Sequence, residues 1–444
     1  MLLAAPEPAS VDLDGLLPPA TRVVVIGGGI VGVSTAYWLA ARGVPVVLCE
    51  KGRIAGEQSS RNWGWVRQQG RDPREIPLSM ASRTLWQGMN ERTGMDVGYR
   101  QCGILYLERS DEDLAAREPW LAEARAHGLD SRLIHGADLE RVMPGASARF
   151  RGALYTASDG RAEPQQATPA LAHAARRLGA VIVGDCAVRA VETQAGRVCG
   201  VVTERGAIAC EAVVLAGGAW SRLFCGNLGL DLPQLKVRAS VARTGPIRGG
   251  PDASALGESF AFRKRLDGGY TIANGIRSLA EIVPDSFRLF RRFLPALGSE
   301  WRNTRLHLGA RFLEEWRAPR RWLPQAESVF ERERVLDPAP VQGENMATLD
   351  VLARAFPAFA AARIVQQWAG FIDVTPDAIP VMDSVAALPG FHIATGFSGH
   401  GFGVGPAAGR VMADLVTGDK PLVDHSPFRF SRFSDGSKLK LYTL

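Results

Sequence analysis

The chain has 444 residues, of which 46% are hydrophobic and 22% charged, so it can bury large cores, and wholesale disorder is excluded. The formal charge of +6 is small for this length and spread along the chain, and we therefore expect no nucleic-acid partner. Six irregularly spaced cysteines without a CxxC pair indicate reduced thiols in the cytoplasm rather than disulfides or a metal site.

The first charge-free stretch of the chain has nearly the length of a membrane span. It runs from Val23 to Ala41, but four glycines between positions 27 and 32 interrupt it. A strand, a tight turn and a buried helix explain it better, so we expect no membrane span. Residues 1–20 are rich in proline and lack a basic n-region, which predicts a flexible leader rather than a signal peptide.

A strand–turn–helix–strand unit follows the leader. The β-branched segment Thr21–Ile26 predicts a buried strand, Ile30–Arg42 a helix, and Val44–Cys49 a second strand. This βαβ arrangement is the frame in which a glycine-rich dinucleotide site is built.

The turn inside this unit has the spacing GxGxxG, and an acid ends the second strand. Gly27, Gly29 and Gly32 would allow the tight turn, the approach of a pyrophosphate and close helix–strand packing. Glu50 would accept hydrogen bonds from ribose hydroxyls, and its charge disfavours the 2′-phosphate of NADP. FAD and NAD both remain open at this point.

Later segments continue the pattern and separate the two cofactors. They are predicted strands in Ala180–Val191, Gly200–Val202, Ala207–Ala209, Ala212–Trp220 and Phe391–Ala394, and a helix over Pro406–Val416. A second glycine-rich turn, Thr395–Gly403, joins the last strand to the last helix. A nucleotide domain assembled from distant pieces favours FAD, because NAD domains are built from a single piece.

With these blocks in place, the sequence resembles the FAD-dependent D-amino-acid oxidase superfamily, in particular its amine-oxidising branch of glycine, sarcosine and D-amino-acid oxidoreductases. The most specific blocks are GGGIVGVSTAYWLAARG (27–43), GEQSSRNWGWVR (56–67), VVLAGGAWS (213–221), WAGFIDVTPDAIPVM (368–382) and GFSGHGFGVGPAAGRVMADLVTG (396–418). The resemblance implies an α/β fold in which a Rossmann-type FAD-binding domain accompanies a substrate domain on a large mixed sheet. The implied boundaries are 21–82, 151–232 and 361–418 for the FAD-binding domain, 83–150 and 233–360 for the substrate domain, and 419–444 for a tail.

The resemblance also implies a set of cofactor-binding residues. They are Gly27, Gly29, Ile30 and Gly32 at the pyrophosphate, Glu50 at the adenosine ribose with Lys51 after it, Ser59, Ser60, Arg61 and Asn62 beside the flavin, Val188 at the adenine, Gly217 and Trp220 in the loop after a strand, and Gly399, His400, Gly401 and Phe402 near the isoalloxazine ring. Trp220, Phe402 and His400 have ordinary core packing as their alternative. Gly370 stands where relatives with a covalent flavin have Cys, so FAD is expected to be non-covalent.

The implied reaction removes a hydride from the carbon beside an amine and delivers it to flavin N5, giving an imine that hydrolyses. The substrate would be a small amine or amino acid, and the electrons would pass to oxygen or another acceptor. Sarcosine-type oxidases carry a Lys on a substrate-domain strand, whereas the matching segment 269–274 (GYTIAN) has none, which favours a dehydrogenase.

Four residues are candidates for substrate contact or catalysis: Trp63, Arg67, Asp373 and His400. Arg67 matches one half of a carboxylate clamp whose other half, a Lys in relatives, is Gly403 here. Ile372 replaces the carboxylate-binding Arg of simple D-amino-acid oxidases.

All four candidates have a structural alternative: His400 can be a core histidine, and Arg67 can have a surface or phosphate-facing role. Asp373 either contacts a cationic group or caps the turn before Thr375. Trp63 and Trp65 either wall an aromatic pocket or pack beneath the flavin. Two other functions compete with amine oxidation: a flavoprotein hydroxylase, which the late Ser-Gly-His-Gly-Phe turn disfavours, and an FAD-bearing non-catalytic subunit, which the missing Arg at position 372 leaves possible.

Overall fold

A computed structural model describes residues 2–146, 148–275, 277–301 and 303–442. Its helices are Ile30–Ala40, Gln58–Arg61, Ile76–Gln87, Met89–Thr93, Asp111–Ala115, Glu118–Ala126, Gly136–Val142, Pro164–Arg177, Ser221–Asn227, Pro284–Arg288, Phe290–Glu300, Arg311–Arg317, Val329–Arg332, Glu344–Ala355 and Gly401–Thr417. No helix in the described ranges is both long enough and apolar enough to cross a bilayer.

The first large sheet is a six-stranded nucleotide sheet. Its spatial order is Val181–Val183, Val46–Cys49, Val23–Ile26, Ala212–Leu215, Phe391–Thr395 and Val381–Ser384. All neighbours are parallel except the last pair. The central strand is fully buried at Val23, Val24 and Val25, as the β-branched run predicts for a sheet covered on both faces. The predicted Rossmann-type assembly from distant segments is confirmed.

The second large sheet has eleven strands and mixed pairing. Its main path is Leu2–Leu3, Ile364–Val374, Leu235–Thr244, Tyr270–Ala273, Phe260–Lys264, Ser254–Gly257, Ile104–Glu108, Gly152–Thr156 and Ser131–His135, and a branch adds Ser278–Glu281 and Thr304–His307. Ser254–Gly257 runs parallel to Ile104–Glu108, which joins two distant parts of the chain. The predicted α/β class with a large mixed sheet is thus confirmed.

Two small sheets complete the fold. One is antiparallel and consists of Val188–Gln194, Arg197–Thr203 and Gly206–Ala209. The other pairs Trp65–Val66 and Arg100–Gln101 with Gly160–Arg161, and it holds the segment that leads to Arg67.

Two strands differ from the predicted domain boundaries. Gly152–Thr156 and Ile364–Val374 were placed with the FAD-binding segments, but both are hydrogen-bonded into the large mixed sheet. The second of them pairs along Leu235–Thr244 from Leu235↔Val374 to Thr244↔Ile364. Backbone pairing decides which sheet a strand joins. The chain therefore leaves the large mixed sheet after residue 156 rather than after residue 150, and after residue 374 rather than after residue 360.

The last helix begins earlier than predicted. It starts at Gly401, not at Pro406, and the proline lies inside it. The helix packs against Ile30–Ala40, and there is no room for a side chain at their crossing: a Cβ at Gly409 would lie 2.3 Å from Ser34 Cβ. Trp86 Nε1 donates to the carbonyl of Gly403 at 2.9 Å, which ties down the first turn of this helix.

The predicted flexible leader is also attached to the body of the protein. Leu2–Leu3 pairs with the strand Ile364–Val374. Asp14 accepts hydrogen bonds from Arg176 and from the amide of Ile182, which explains the attachment. The prediction of a flexible leader is wrong because Asp14 contacts partners more than 150 residues away along the chain, which the composition of residues 1–20 does not indicate.

The C-terminal segment is held by one buried ion pair. Arg432 donates Nε to Asp377 Oδ2 at 2.9 Å and Nη2 to Oδ1 at 3.1 Å, and both side chains are nearly inaccessible. Phe428, close by in sequence, is fully buried. The tail is therefore part of the folded structure.

We predict that Arg432→Met lowers the free energy of unfolding by about 3 kcal/mol, because it leaves the buried Asp377 carboxylate without its hydrogen-bonded ion pair. The remaining cation, Arg74, lies 4.0 Å from that carboxylate. Urea unfolding measures the loss. The matched control is Arg429→Met, which removes an exposed pair with Asp435 and should cost under about 1 kcal/mol. Equal losses of unfolding free energy in the two variants would contradict a stabilising role for the buried Arg432–Asp377 ion pair.

Candidate active site

The glycine-rich turn brings three backbone segments together with no space for side chains. Gly27 has φ +109°, and a Cβ there would lie 2.4 Å from the carbonyl oxygen of Ala216. A Cβ at Gly32 would lie 2.0 Å from the carbonyl oxygen of Gly27. The helix N-terminus at Ile30 therefore sits directly against the strand ends, where its free amides can face an anion.

Glu50 fastens this turn to the neighbouring strand. Its Oε2 accepts from the amide of Gly28 at 2.6 Å, and its Oε1 accepts from Gly52 at 2.8 Å. Burial raises the pKa of this carboxyl, while Lys51 and the two amides oppose that rise. Each carboxylate oxygen keeps a lone pair that can accept from a ribose hydroxyl.

A cavity of about 460 Å³ runs along the turn and continues to the large sheet. The predicted residues that line it are Gly27, Gly29, Ile30, Glu50, Lys51, Ser59, Arg61, Asn62, Trp63, Arg67, Val188, Gly217, Trp220, Asp373, Gly399, His400, Gly401 and Phe402. Gly32 and Ser60 do not line it. Gly32 serves helix packing, and the Ser60 hydroxyl donates to the carbonyl of Glu57.

Lys51 lines the cavity and is held in place by protein groups. Its ammonium lies 2.8 Å from Glu57 Oε1 and from the carbonyl oxygens of Glu333 and Arg334. These three contacts use all three of its donors. Lys51 also lies over the Trp220 ring at 4.7 Å, so it holds the segment that covers this end of the cavity.

Arg61 and Asn62 shape the wall beside the predicted flavin position. The Arg61 guanidinium is buried and donates to Asp337 at 2.7 Å and to the carbonyl of Ala369 at 3.1 Å. Asn62 Oδ1 accepts from the amide of Gly64 at 2.8 Å, which fixes the next turn. A Cβ at Gly370 would lie 3.3 Å from Arg61 Cβ, so this wall is tightly closed.

The structure favours the turn-capping alternative for Asp373. Its Oδ2 accepts from Gln234 Nε2 at 2.9 Å, Thr395 Oγ1 at 3.2 Å and the Gly396 amide at 2.7 Å. Burial raises the pKa of this carboxyl. Although Asp373 lines the cavity, this oxygen is occupied in joining the two large sheets, and Ile372 beside it presents no charge.

His400 lies against a buried acid. Its Nδ1 is 3.1 Å from Glu75 Oε2, and Glu75 is inaccessible to solvent. Burial, together with the charge of Arg71, lowers the pKa of His400 to about 4. The imidazole is therefore neutral at pH 7.

Arg67 and Arg71 bring positive charge to the cavity. The Arg67 guanidinium lies over the rings of Trp65 and Tyr106 at 5.9 and 5.7 Å. Arg71 is 3% exposed, and its Nη1 is buried without a hydrogen-bond partner. Neither guanidinium forms an ion pair within the described ranges. The sequence does not single out Arg71, because the turn that brings it beside Arg67 has no local pattern that indicates this contact.

Asp159 fixes the segment that carries Arg67. Its carboxylate accepts from the amides of Gln68 and Gln69 at 2.8 and 3.1 Å. Burial raises the pKa of Asp159 to about 6, opposed by these hydrogen bonds and by the charge of Arg67. Trp63 and Trp65 meet edge to face at 5.1 Å beside this segment, and both line the cavity.

The residues present fit FAD. The glycine cradle and the Ile30 helix terminus suit a pyrophosphate, and Glu50 suits a ribose. Arg61 lines the cavity, and its buried Nε has no partner in the described structure, so a polar group of a ligand can satisfy it.

Comparison with known proteins agrees with this geometry. The family described as FAD dependent oxidoreductase (DAO) matches residues 22–415. The structure of L-amino acid deaminase from Proteus myxofaciens superimposes with a TM-score of 0.93 at 35% identity, covering 96% of each chain.

Curated relatives extend the comparison to amine oxidation. Sarcosine oxidase subunit beta from Rhizobium meliloti is 24% identical over 94% of this chain and 89% of its own length. 4-Methylaminobutanoate oxidase (formaldehyde-forming) from Paenarthrobacter nicotinovorans is 28% identical over 94% of this chain, which spans only 46% of that relative. The resemblance found in the sequence is confirmed: the chain belongs to the DAO family of FAD-dependent oxidoreductases.

Proposed function

We propose that this FAD-dependent oxidoreductase oxidises the C–N bond of an amino acid or a related small amine. The observation that carries the proposal is the unpaired Arg67 guanidinium in the same cavity as the glycine cradle. A guanidinium that forms no ion pair within the described residues and lines a cavity is suited to hold a substrate carboxylate. The similarity to L-amino acid deaminase and to sarcosine oxidase subunit beta supports the same reaction.

In the proposed reaction the Cα–H bond breaks as a hydride, and the nitrogen lone pair forms the C=N bond of an imine. FAD, when bound, supplies the two-electron oxidant. Water then adds to the imine, and the C–N bond breaks to give a carbonyl product and an amine or ammonia. The electrons pass to oxygen or another acceptor. The strand Tyr270–Ala273 carries no lysine, which favours an acceptor other than oxygen.

The chain's own residues position and shield the substrate. Arg67 would hold the carboxylate, and Asp159 would keep the Arg67 segment in place. Trp63 and Trp65 would exclude water beside it. His400 is neutral and would act as a hydrogen-bonding group rather than a charge.

We further propose that the nucleotide sheet forms the FAD-binding domain, the large mixed sheet forms the substrate domain, and the protein works in the cytoplasm. The six cysteines are all unpaired, which supports a reducing compartment.

The defining experiment is the anaerobic addition of D- and L-amino acids, N-methyl amino acids and polyamines to the purified flavoprotein. Bleaching of the flavin band by one class supports the proposal and names the substrate type. If FAD is tightly bound and none of these compounds reduces it, the result supports the alternative of an FAD-bearing non-catalytic subunit.

Arg67→Met should raise the dissociation constant of a carboxylated substrate about 100-fold, because one charged hydrogen-bonded contact is lost. The decarboxylated amine should be affected far less. Anaerobic flavin titration measures both constants. Arg109→Met, an exposed arginine near Glu258, is the control. An unchanged affinity for the carboxylated substrate removes Arg67 from the site.

Carboxylate binding should strengthen as the pH falls through about 6. Asp159 loses its charge on protonation near this pH, and the field around Arg67 becomes more positive. We expect the dissociation constant of butyrate, measured by calorimetry, to fall by roughly a factor of three to ten between pH 7.5 and 5. Asp159→Asn should flatten this dependence; the same slope in the variant would contradict the assignment.

FAD should be non-covalent. A Cys side chain at Gly370 would press against Arg61, so a covalent attachment at that position is sterically disfavoured. We expect acid precipitation to release all flavin into the supernatant, with none in the pellet. Flavin absorbance that stays with the protein would refute this.

A further inference from the structure

The segment 284–325, which adjoins the branch of the large mixed sheet, carries an unusual share of the exposed hydrophobic side chains. Nine of the seventeen exposed large hydrophobic residues in the described ranges lie in it, including every phenylalanine and tryptophan of that set. Phe287, Trp301, Leu308, Trp316 and Leu323 are each 62–71% exposed. Single exposed hydrophobic side chains are ordinary on a protein surface, whereas a concentration of this kind marks an interaction surface.

The helix Phe290–Glu300 has a hydrophobic stripe that the protein leaves open to solvent. Phe290, Phe293, Leu294 and Leu297 follow the i, i+3, i+4, i+7 spacing that places side chains on one face of a helix. Such a face normally packs against a core, yet no residue of this helix is buried. The stripe is therefore available to a partner outside the described chain.

The helix Arg311–Arg317 extends the exposed hydrophobic surface, and none of its residues is buried either. Phe312 of this helix meets Phe287 edge to face, with 6.3 Å between the ring centroids. Phe312 also stacks on Trp316 at 5.9 Å. Because Phe287 lies just before the helix Phe290–Glu300, these rings connect the two helices through one apolar cluster.

The same segment carries most of the net positive charge of the chain. Residues 284–325 include nine arginines, no lysine and four acids, which gives +5 out of a total of +6. Four of the arginines are exposed and form no ion pair within the described ranges: Arg291, Arg305, Arg317 and Arg321. Their charge is therefore free to attract an anionic partner.

Two of the four acids are used to attach the segment to the rest of the protein. Asp285 Oδ2 accepts from Arg222 Nε at 2.7 Å, and Glu315 Oε1 lies 2.9 Å from Lys236 Nζ. Arg222 belongs to the helix Ser221–Asn227, and Lys236 belongs to a strand of the large mixed sheet. These ion pairs neutralise acids of the segment, and the exposed arginines keep their charge.

We infer that the exposed residues of 284–301 and 303–325 form a docking surface for an anionic lipid bilayer. Hydrophobic side chains on one helix face, with arginines beside them, are the combination that holds a helix in the interfacial plane of such a bilayer. A second copy of the chain would bring an equal positive charge against this surface, and the two would repel each other. An anionic bilayer supplies both an apolar phase and the opposite charge. The inference goes beyond the proposed function and does not depend on it.

The docking surface borders the cavity. The Arg311 guanidinium lies over the Phe371 ring at 4.3 Å, and Phe371 lines the cavity. Ser278, on the strand that pairs with Thr304–His307, lines it as well. Docking would therefore place this wall of the cavity next to the bilayer.

The test sediments the purified flavoprotein with sucrose-loaded vesicles. Vesicles of phosphatidylglycerol mixed equally with phosphatidylcholine are compared with vesicles of phosphatidylcholine alone. We expect the partition coefficient to be at least about tenfold higher on the anionic vesicles, and to fall towards the neutral value in about 0.5 M salt, which screens the arginines. Absence of binding, or equal binding to both kinds of vesicle, would overturn the inference whatever the flavin oxidises.

Leu294→Ser combined with Leu313→Ser should lower the partition coefficient on anionic vesicles at least about tenfold, because two hydrophobic side chains are lost from the interface. The matched control is Leu16→Ser combined with Leu422→Ser, which replaces two exposed leucines outside the segment. Flavin absorbance and thermal unfolding show that each variant is folded. An unchanged partition coefficient in the first variant, or the same loss in the control, would contradict the assignment.

Arg291→Gln combined with Arg317→Gln should lower the same partition coefficient roughly ten- to thirtyfold. Arg197→Gln combined with Arg248→Gln is the control, since it removes two other exposed arginines that form no ion pair in the described part of the chain. If both double variants weaken binding equally, the attraction comes from the overall charge of the protein, and the assignment to this surface is wrong.

Sedimentation equilibrium without lipid tests whether another copy of the chain covers the surface. We expect the wild-type protein and the Leu294→Ser, Leu313→Ser variant to have the same oligomeric state. A wild-type dimer that this variant dissociates, together with absence from both kinds of vesicle, would identify a second copy as the occupant and overturn the assignment to a bilayer.

Discussion

The close contact of Gly27, Gly32 and Ala216 is the constraint on which the rest of the site depends. Three backbones meet there at distances that exclude any Cβ. This contact sets the helix Ile30–Ala40 directly on the strand ends, and the amide-bound Glu50 closes the turn from the neighbouring strand. Replacement of either glycine would move the helix terminus and the cavity wall together, since neither backbone can yield independently.

The second organising element is the long strand Ile364–Val374, which connects the two large sheets. It pairs along its length with Leu235–Thr244, and at its end Asp373 accepts from Thr395 and Gly396 of the nucleotide sheet. The cavity lies at this junction between the nucleotide sheet and the large mixed sheet. The backbone pairing of this strand and the side-chain hydrogen bonds of Asp373 therefore position the glycine-rich turn and the large mixed sheet relative to each other.

Local patterns in the sequence predicted the parts of the site that local geometry determines. The spacing of Gly27, Gly29 and Gly32 requires a tight turn wherever the chain places it, so this part was readable from residues alone. The contacts of Lys51 could not be predicted from local patterns, because its carbonyl partners, Glu333 and Arg334, are brought to it only by the tertiary fold.

The order of the strands has a consequence for biosynthesis. The nucleotide sheet places Val23–Ile26 two strands from Phe391–Thr395, and the N-terminal helix packs on the helix that ends at Thr417. At a ribosomal rate of about 5–20 residues per second, roughly 20–80 s pass between synthesis of the unit Val23–Cys49 and synthesis of the strand Phe391–Thr395 and the helix Gly401–Thr417. The turn around Gly27 can thus form early, but its partner strand and helix are added only when the chain has been synthesised through Thr417.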